Sequence, residues 1–359
     1  MAAESASLLP EALRRNLWKG MVIPALPLAL DQHRRFDERR ERALIRYYLD
    51  AGAGGIAAGV HTTQFTIREH NLFKPVLMFA SQEIDAWSAE RQCEILKIGG
   101  ICGETPQALR EAEFLVLHGY HAGLLSLAAF KNASLETLIA HAVRIAEVIP
   151  LVGFYLQPDV GGRLLPYEFW RAFVEIESVI AIKIAPFNRY RTLDVVRALA
   201  DSGRGDEIAL YTGNDDHIVL DLVTPFCLPG PDGRQTTLRF RGGLLGQWSV
   251  WTKKAVELLE EIHALVDSNL PVPLQLLAKG QALTDANGAI FDAANNYKGC
   301  IAGIHEVLRR QGLFEGIWCL DPSETLSPGQ AEEISRVYAA YPELSDDDFV
   351  RSNLARWLS

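Results

Sequence analysis

The chain has 359 residues, of which 48% are apolar and 22% charged, the balance of a globular protein with a sizeable core. Its net charge of −10 comes without a dominant basic segment, which argues against nucleic acid or an anionic membrane surface as the main partner. The five cysteines are scattered and lack metal-ligand spacing, so we expect no metal site. We find no apolar run of membrane-spanning length and no signal-peptide pattern at the start, and we therefore expect a cytoplasmic protein.

Short apolar runs alternate with longer amphipathic ones along most of the chain, and eight of the short runs read as strands. Helical patterns lie between them, several beginning with Ser, Thr or Pro and ending with Gly. Because the strands are apolar throughout, they indicate a parallel sheet covered by helices, and their number favours a closed (β/α)8 TIM barrel over an open doubly wound sheet. The predicted strands are 20–26, 54–59, 95–101, 122–127, 151–157, 179–185, 208–213 and 242–248.

Two further segments complete the predicted organisation. Residues 227–241, rich in Pro, Gly and polar side chains, are interpreted as a surface insertion before the eighth strand. No strand pattern recurs after about residue 268, and the remaining sequence is helical by period. The predicted domains are therefore a barrel with an N-terminal helix over residues 1–268 and a helical C-terminal extension over residues 269–359.

One lysine lies inside a predicted strand. Lys183 belongs to "SVIAIKIAP", where desolvation of its charge costs several kcal/mol by rough estimate unless the charge is paired or the amine gives up its proton. In a barrel, chemistry takes place at the carboxyl ends of the strands, where Lys183 and Tyr155 of the preceding strand both lie. A neutral amine beside a phenol is suited to imine formation with a ketone. The alternatives are a core lysine paired with a carboxylate or reaching solvent, and a tyrosine packed under a loop.

Several short motifs, in order and spacing, resemble the dihydrodipicolinate synthase and N-acetylneuraminate lyase family. They are "GMVIPALPLAL" on the first strand, "FYLQP" where the family has Tyr-Asn-x-Pro, "VIAIKIA" where it has Gly-x-Lys, "TGNDD", "GGLLGQWS" and the final "LSPGQAEEISRVYAAYPEL". The resemblance implies a class I aldolase fold and chemistry without a cofactor. Lys183 would form the imine and Tyr155, 28 positions before it, would shuttle protons.

The resemblance also implies a set of substrate-binding residues. The family's Gly-Thr-Thr-Gly-Glu turn, which binds the substrate carboxylate, aligns with "VHTTQ", so this role falls on His61, Thr62 and Thr63. Hydroxyl groups and turn amides are the donors that a carboxylate needs. From "TGNDD", Gly213, Asp215 and Asp216 are expected to bind substrate. The alternative for the two aspartates is capping of the seventh helix.

Two departures from the family pattern bear on the substrate. The second relay tyrosine of dihydrodipicolinate synthases is Phe130 here, and Val160 replaces their carboxylate-binding arginine, with Arg163 three residues on. We therefore expect a lyase, aldolase or dehydratase acting on pyruvate or another 2-oxo acid, such as a sugar acid. The alternatives are 4-hydroxy-tetrahydrodipicolinate synthase itself, a non-catalytic metabolite-binding barrel and a metal-dependent class II aldolase. By resemblance, the protein is expected to be a homodimer or homotetramer.

Overall fold

The computed structural model describes residues 9–359. Eight strands form one sheet, and each of them lies within a predicted run or overlaps it. Most of their side chains are buried, as expected for strands covered on both faces. These strands are β1 Val22–Pro24, β2 Gly55–Ala58, β3 Leu96–Ile101, β4 Ala122–Leu125, β5 Leu151–Leu156, β6 Val179–Ala185, β7 Ala209–Thr212 and β10 Phe240–Leu245.

The sheet is parallel, with the strand order β1-β10-β7-β6-β5-β4-β3-β2. Its two terminal strands, β1 and β2, meet at a parallel bridge between Ala25 and Ala57, which closes the sheet. The fold is therefore the predicted (β/α)8 barrel.

Helices follow the strands, as predicted, and their ends carry the expected signals. Asp37 and Ser134 cap α2 and α5, each accepting a hydrogen bond from the backbone N–H three residues on. Gly52 and Gly203 end α2 and α7 in the left-handed conformation. The helices before the extension are α1 Glu11–Lys19, α2 Glu38–Ala51, α3 Phe73–Arg91, α4 Thr105–Leu117, α5 Leu135–Ala146, α6 Tyr167–Phe173, α7 Arg189–Ser202, α8 Ile218–Val223 and α9 Thr252–Asp267.

The sequence after α9 is a helical extension, as predicted. Its helices are α10 Leu274–Ile290, α11 Cys300–Arg310, α12 Gln330–Ala340 and α13 Asp347–Trp357. Asp50 on α2 anchors the last helix, because its carboxylate accepts a hydrogen bond from the indole N–H of Trp357 at 2.7 Å. The same carboxylate accepts one from Trp87 on α3 at 2.9 Å.

The interpretation of residues 227–241 as an irregular surface insertion is wrong in part. A hairpin of two antiparallel strands, β8 Phe226–Pro229 and β9 Gln235–Leu238, occupies most of it, and its last residues begin β10. Alternating burial along both strands shows that one face of the hairpin is covered. Gly230, Pro231 and Gly233, which suggested a loop, form the turn between the two strands, and Pro229 ends β8.

The described chain divides into two compact units. The first contains the described residues up to Gly20, Leu96–Asn214 and Leu220–Gly243, and the second contains Met21–Ile95, Asp215–Val219 and Leu244–Ser359. The domain boundary at residue 268 stays a prediction. Among the helices of residues 9–359, none combines the length and apolar character that crossing a bilayer requires.

Candidate active site

Lys183 lies in the carboxyl half of β6 and is 8% exposed. Its neighbours in register are Phe154 on β5 and Tyr211 on β7. In a parallel sheet, residues in register leave their strands on the same face, so Lys183, Phe154 and Tyr211 share one side of the sheet. The Nζ atom of Lys183 accordingly lies 4.6 Å from the centroid of the Phe154 ring.

The register between β5 and β6 changes within these strands. At their beginning, Leu151 pairs with Val179, an offset of 28 positions, which would place Tyr155 opposite Lys183. The next pair is Val152 with Ala181, so β6 contains one extra residue, Ile180, and the offset becomes 29. Phe154 rather than Tyr155 therefore lies beside Lys183.

Tyr155 leaves β5 on the opposite face, which the helices cover. Its ring centroid is 5.4 Å from that of Trp170 on α6, and its hydroxyl oxygen accepts a hydrogen bond from the Leu165 N–H at 3.3 Å. Burial raises the pKa of the phenol above its usual value. The structure does not bring Tyr155 and Lys183 together on one face, and a proton-shuttling role for Tyr155 stays a prediction.

Gly213, which immediately follows β7, is a predicted site residue that the structure brings to Lys183. A Cβ atom at this position would lie 2.8 Å from Cε of Lys183 and 2.8 Å from Cβ of Ala185. Carbon atoms in contact are normally about 3.5–4.0 Å apart. A side chain at position 213 would therefore force Lys183 or Ala185 to shift, and the lysine chain passes directly over this glycine.

A buried carboxylate that the sequence analysis missed holds this end of β7. Asp221 is fully buried and accepts hydrogen bonds from the Thr212 hydroxyl at 2.6 Å and the Asn214 amide at 2.9 Å. Arg189 donates to its other oxygen. A signal existed in the sequence, because Asp221 interrupts the apolar run "IVLDLV". Through Thr212 and Asn214, this carboxylate fixes the residues on either side of Gly213.

The two predicted carboxylate-binding threonines lie in the second compact unit, where their hydroxyl groups bind backbone. Thr62 donates to the carbonyl of Ala25 at 2.8 Å, and Thr63 donates to that of Leu26 at 2.6 Å. Thr63 also accepts from the Gly59 N–H at 3.0 Å. These bonds tie the turn after β2 to the end of β1. His61, between them and β2, is half-buried with its ring 6.0 Å from that of Phe65.

The aspartates of "TGNDD" belong to the same second unit. Asp215 is 6% exposed, and its Oδ1 atom accepts a hydrogen bond from the Gln247 N–H at 2.8 Å. The backbone carbonyl of Asp216 accepts one from the Thr284 hydroxyl at 3.0 Å. Asp215 therefore positions the turn that follows β10, a contact that the capping alternative did not foresee.

Arg163, whose reach sequence alone left open, binds backbone in the first unit. Its guanidinium donates to the carbonyl of Phe130 and, at 3.3 Å, to that of Ala133. Together with Phe154 and Ser126 it lines a narrow cavity of about 10 Å³. Val160 is half-exposed in the short turn Pro158–Val160.

Fold and site together define a (β/α)8 barrel with a buried lysine near the carboxyl end of its sixth barrel strand. By sequence, the chain matches no protein-family model and no curated protein. By structure, it is similar to N-acetylneuraminate lyase from Fusobacterium nucleatum, with a TM-score of 0.68 and 16% identity over 91% of this chain and 99% of that one.

Two further structures give the same result. Dihydrodipicolinate synthase from Oceanobacillus iheyensis is similar with a TM-score of 0.71 and 14% identity, over 92% of this chain and 99% of that one. A prophage protein of the dihydrodipicolinic acid synthase family from E. coli K12, in complex with pyruvate, has a TM-score of 0.70 and 16% identity, over 90% of this chain and 98% of that one. The resemblance inferred from the motifs is thus confirmed in the fold.

Proposed function

We propose that this protein is a lyase or aldolase that forms a Schiff base between Lys183 and pyruvate or another 2-oxo acid. The observation that carries the proposal is the buried amine on β6 with glycine at position 213 against its chain. The neutral amine attacks the keto carbon and water leaves, giving a protonated imine that accepts electrons from a neighbouring C–C or C–H bond. Cleavage, condensation or dehydration all use this intermediate.

The structural relatives support the reaction class. They include an N-acetylneuraminate lyase, a dihydrodipicolinate synthase and a family protein that binds pyruvate. A lysine within a barrel strand is what such chemistry requires, whereas a protein that only binds a metabolite has no need of a desolvated amine.

The residues at the positions that the resemblance assigns to the second substrate favour one without a second carboxylate. Phe130 and Val160 offer no cation or hydroxyl, and the guanidinium of Arg163 donates to two backbone carbonyls. A carboxylate needs a paired cation or several donors in a low-dielectric site. We therefore propose a 2-oxo sugar acid rather than aspartate semialdehyde as the partner.

Borohydride trapping tests the proposal. The protein is incubated with pyruvate and a panel of 2-oxo acids, reduced, and mapped by peptide mass spectrometry. We expect a reduced adduct on Lys183, and none in Lys183→Ala. Lys97 on β3 is a matched control, because it is a second buried strand lysine, 4% exposed, and should carry no adduct. An unmodified Lys183 with every 2-oxo acid would contradict the proposal.

The substrate class is tested separately by steady-state kinetics. The value of kcat/KM for pyruvate plus aspartate semialdehyde is compared with values for cleavage or dehydration of 2-oxo sugar acids. We expect the semialdehyde to be poorer by about a hundredfold or more, since its carboxylate would be desolvated without compensation. A higher kcat/KM for the semialdehyde would contradict the proposed substrate class. It would mean that Arg163 or another cation binds the second carboxylate in place of the family's arginine.

A further inference from the structure

We propose that the ring face of Phe154 is a cation-binding group at the reacting nitrogen of Lys183, first for the ammonium and then for the protonated imine. The role at the protonated imine rests on the proposed function, whereas the role at the ammonium does not. No motif in the sequence points to Phe154, since the spacing of 28 positions pairs Tyr155 with the lysine.

The geometry is that of a cation–π interaction. Nζ of Lys183 lies 4.6 Å from the ring centroid, within the distance of about 6 Å at which the ring quadrupole attracts a cation. Both residues are buried, Phe154 to 6% exposure and Lys183 to 8%. Such an interaction is strongest where water is excluded. The pairing in register along β5 and β6 fixes the ring beside the amine.

The other in-register neighbour of Lys183 is engaged elsewhere. Tyr211 on β7 donates its hydroxyl proton to the carbonyl of Leu17 on α1, at 2.8 Å. The hydroxyl of Tyr211 is thus bound to α1, and the ring face of Phe154 lies against the nitrogen.

The ring of Phe154 affects the imine because its face attracts the positive charge of the protonated form. A neutral amine, one 2-oxo acid and one proton give a protonated imine and one water, with the C=O bond replaced by C=N. Loss of the proton leaves a neutral imine that withdraws electrons weakly. A ring face that binds the cation keeps the intermediate protonated, a task for which the phenol of Tyr155 lies on the wrong side of the sheet.

Fluorination of the ring tests the proposal with almost no change of shape. Phe154 is replaced by phenylalanine carrying one, two or three ring fluorines, which progressively weaken the negative face. Phe154→Leu removes the ring, Phe154→Tyr keeps it, and Phe173→Leu is the control. Phe173 is a buried aromatic, 2% exposed, that packs against Gly153 on the other face of β5.

The first measurement uses the free protein and the rate at which acetic anhydride labels Lys183. Acetic anhydride reacts with the neutral amine, and a ring that attracts cations less strongly leaves a smaller fraction of Lys183 as ammonium. The labelling rate should therefore rise stepwise with the number of fluorines and by about two- to thirtyfold in Phe154→Leu. Phe154→Tyr and Phe173→Leu should stay within twofold of the parent. Constant labelling across the fluorine series, or an equal rise in Phe173→Leu, would overturn the proposal.

The second measurement follows cyanoborohydride reduction of the preformed imine, at saturating 2-oxo acid and alkaline pH. This reagent reduces the protonated imine, so the rate should fall stepwise across the same series, opposite in sign to the labelling. A flat or rising series would overturn the role at the imine. If the parent itself forms no adduct with any 2-oxo acid, the proposed function fails, and the labelling still decides the role of Phe154.

Discussion

Substitution of Gly213 by alanine isolates the steric relation between β7 and Lys183. The backbone there does not require glycine, since φ lies outside the left-handed region, and the effect should come from the added methyl group alone. That methyl would lie 2.8 Å from Lys183 Cε and 2.8 Å from Ala185 Cβ. Restoring ordinary carbon contacts needs movements of about 0.7–1.2 Å. The lysine chain can move aside, whereas the Ala185 methyl cannot rotate away and is relieved only by a small separation of β6 and β7.

The expected consequences are larger for activity than for stability. Overpacking of this kind costs about 1–3 kcal/mol of unfolding free energy. Displacement of a reacting group by about 1 Å costs about a hundredfold in rate. We therefore expect Gly213→Ala to remain folded in urea titrations, and to lower the rates of turnover and of borohydride trapping at Lys183 by about two orders of magnitude.

The chain offers a matched control in Gly288 on α10. A Cβ atom at that position meets nothing within 4 Å and φ is again ordinary. Gly288→Ala should raise the unfolding free energy by about 0.5–1 kcal/mol, because glycine in a helix is entropically unfavourable, and leave trapping unchanged. A Gly213→Ala protein that traps pyruvate as fast as the parent would refute the reasoning, and so would an equal loss in Gly288→Ala.

Three further predictions concern buried polar groups. Tyr155→Phe should change turnover by less than about tenfold. It should lower the unfolding free energy by about 1–3 kcal/mol, because the Leu165 N–H loses its acceptor. A fall in turnover of about two to four orders of magnitude would show that Tyr155 relays protons after all. Asp221→Ala should lower the unfolding free energy in urea titrations by about 1–3 kcal/mol, because the buried Thr212 hydroxyl and Asn214 amide lose their acceptor. A change below about 0.5 kcal/mol would contradict this. Burial raises the pKa of the fully buried Glu41 carboxyl from its ordinary value of 4.5 to about 8. The contribution of this carboxyl to the free energy of unfolding is therefore full below about pH 4.5 and is lost as the pH rises to about 8. The unfolding free energy relative to Glu41→Gln should fall over that window, and a constant difference would exclude this titration.

Sequence periodicity determined most of the barrel. Eight apolar runs became the eight strands of one sheet, because a strand buried on both faces must be apolar throughout, whatever it packs against. The same reasoning located Lys183, since a charge in an apolar run is visible without coordinates. Gly213 came from the family resemblance, and its contact with the lysine came from the structure. The hairpin at 226–238 was not foreseen, because its Gly and Pro residues read equally well as a loop.

The tertiary structure alone decided which side chain of β5 faces the amine. Spacing along the chain gives Tyr155, and the first pair of the two strands agrees with that spacing. One extra residue in β6, Ile180, then shifts the register by a single position. Because side chains alternate between the faces of a strand, a shift of one residue exchanges Tyr155 for Phe154 beside Lys183. The extra residue leaves no mark in the sequence, because it lies within a run of apolar residues that would suit either register.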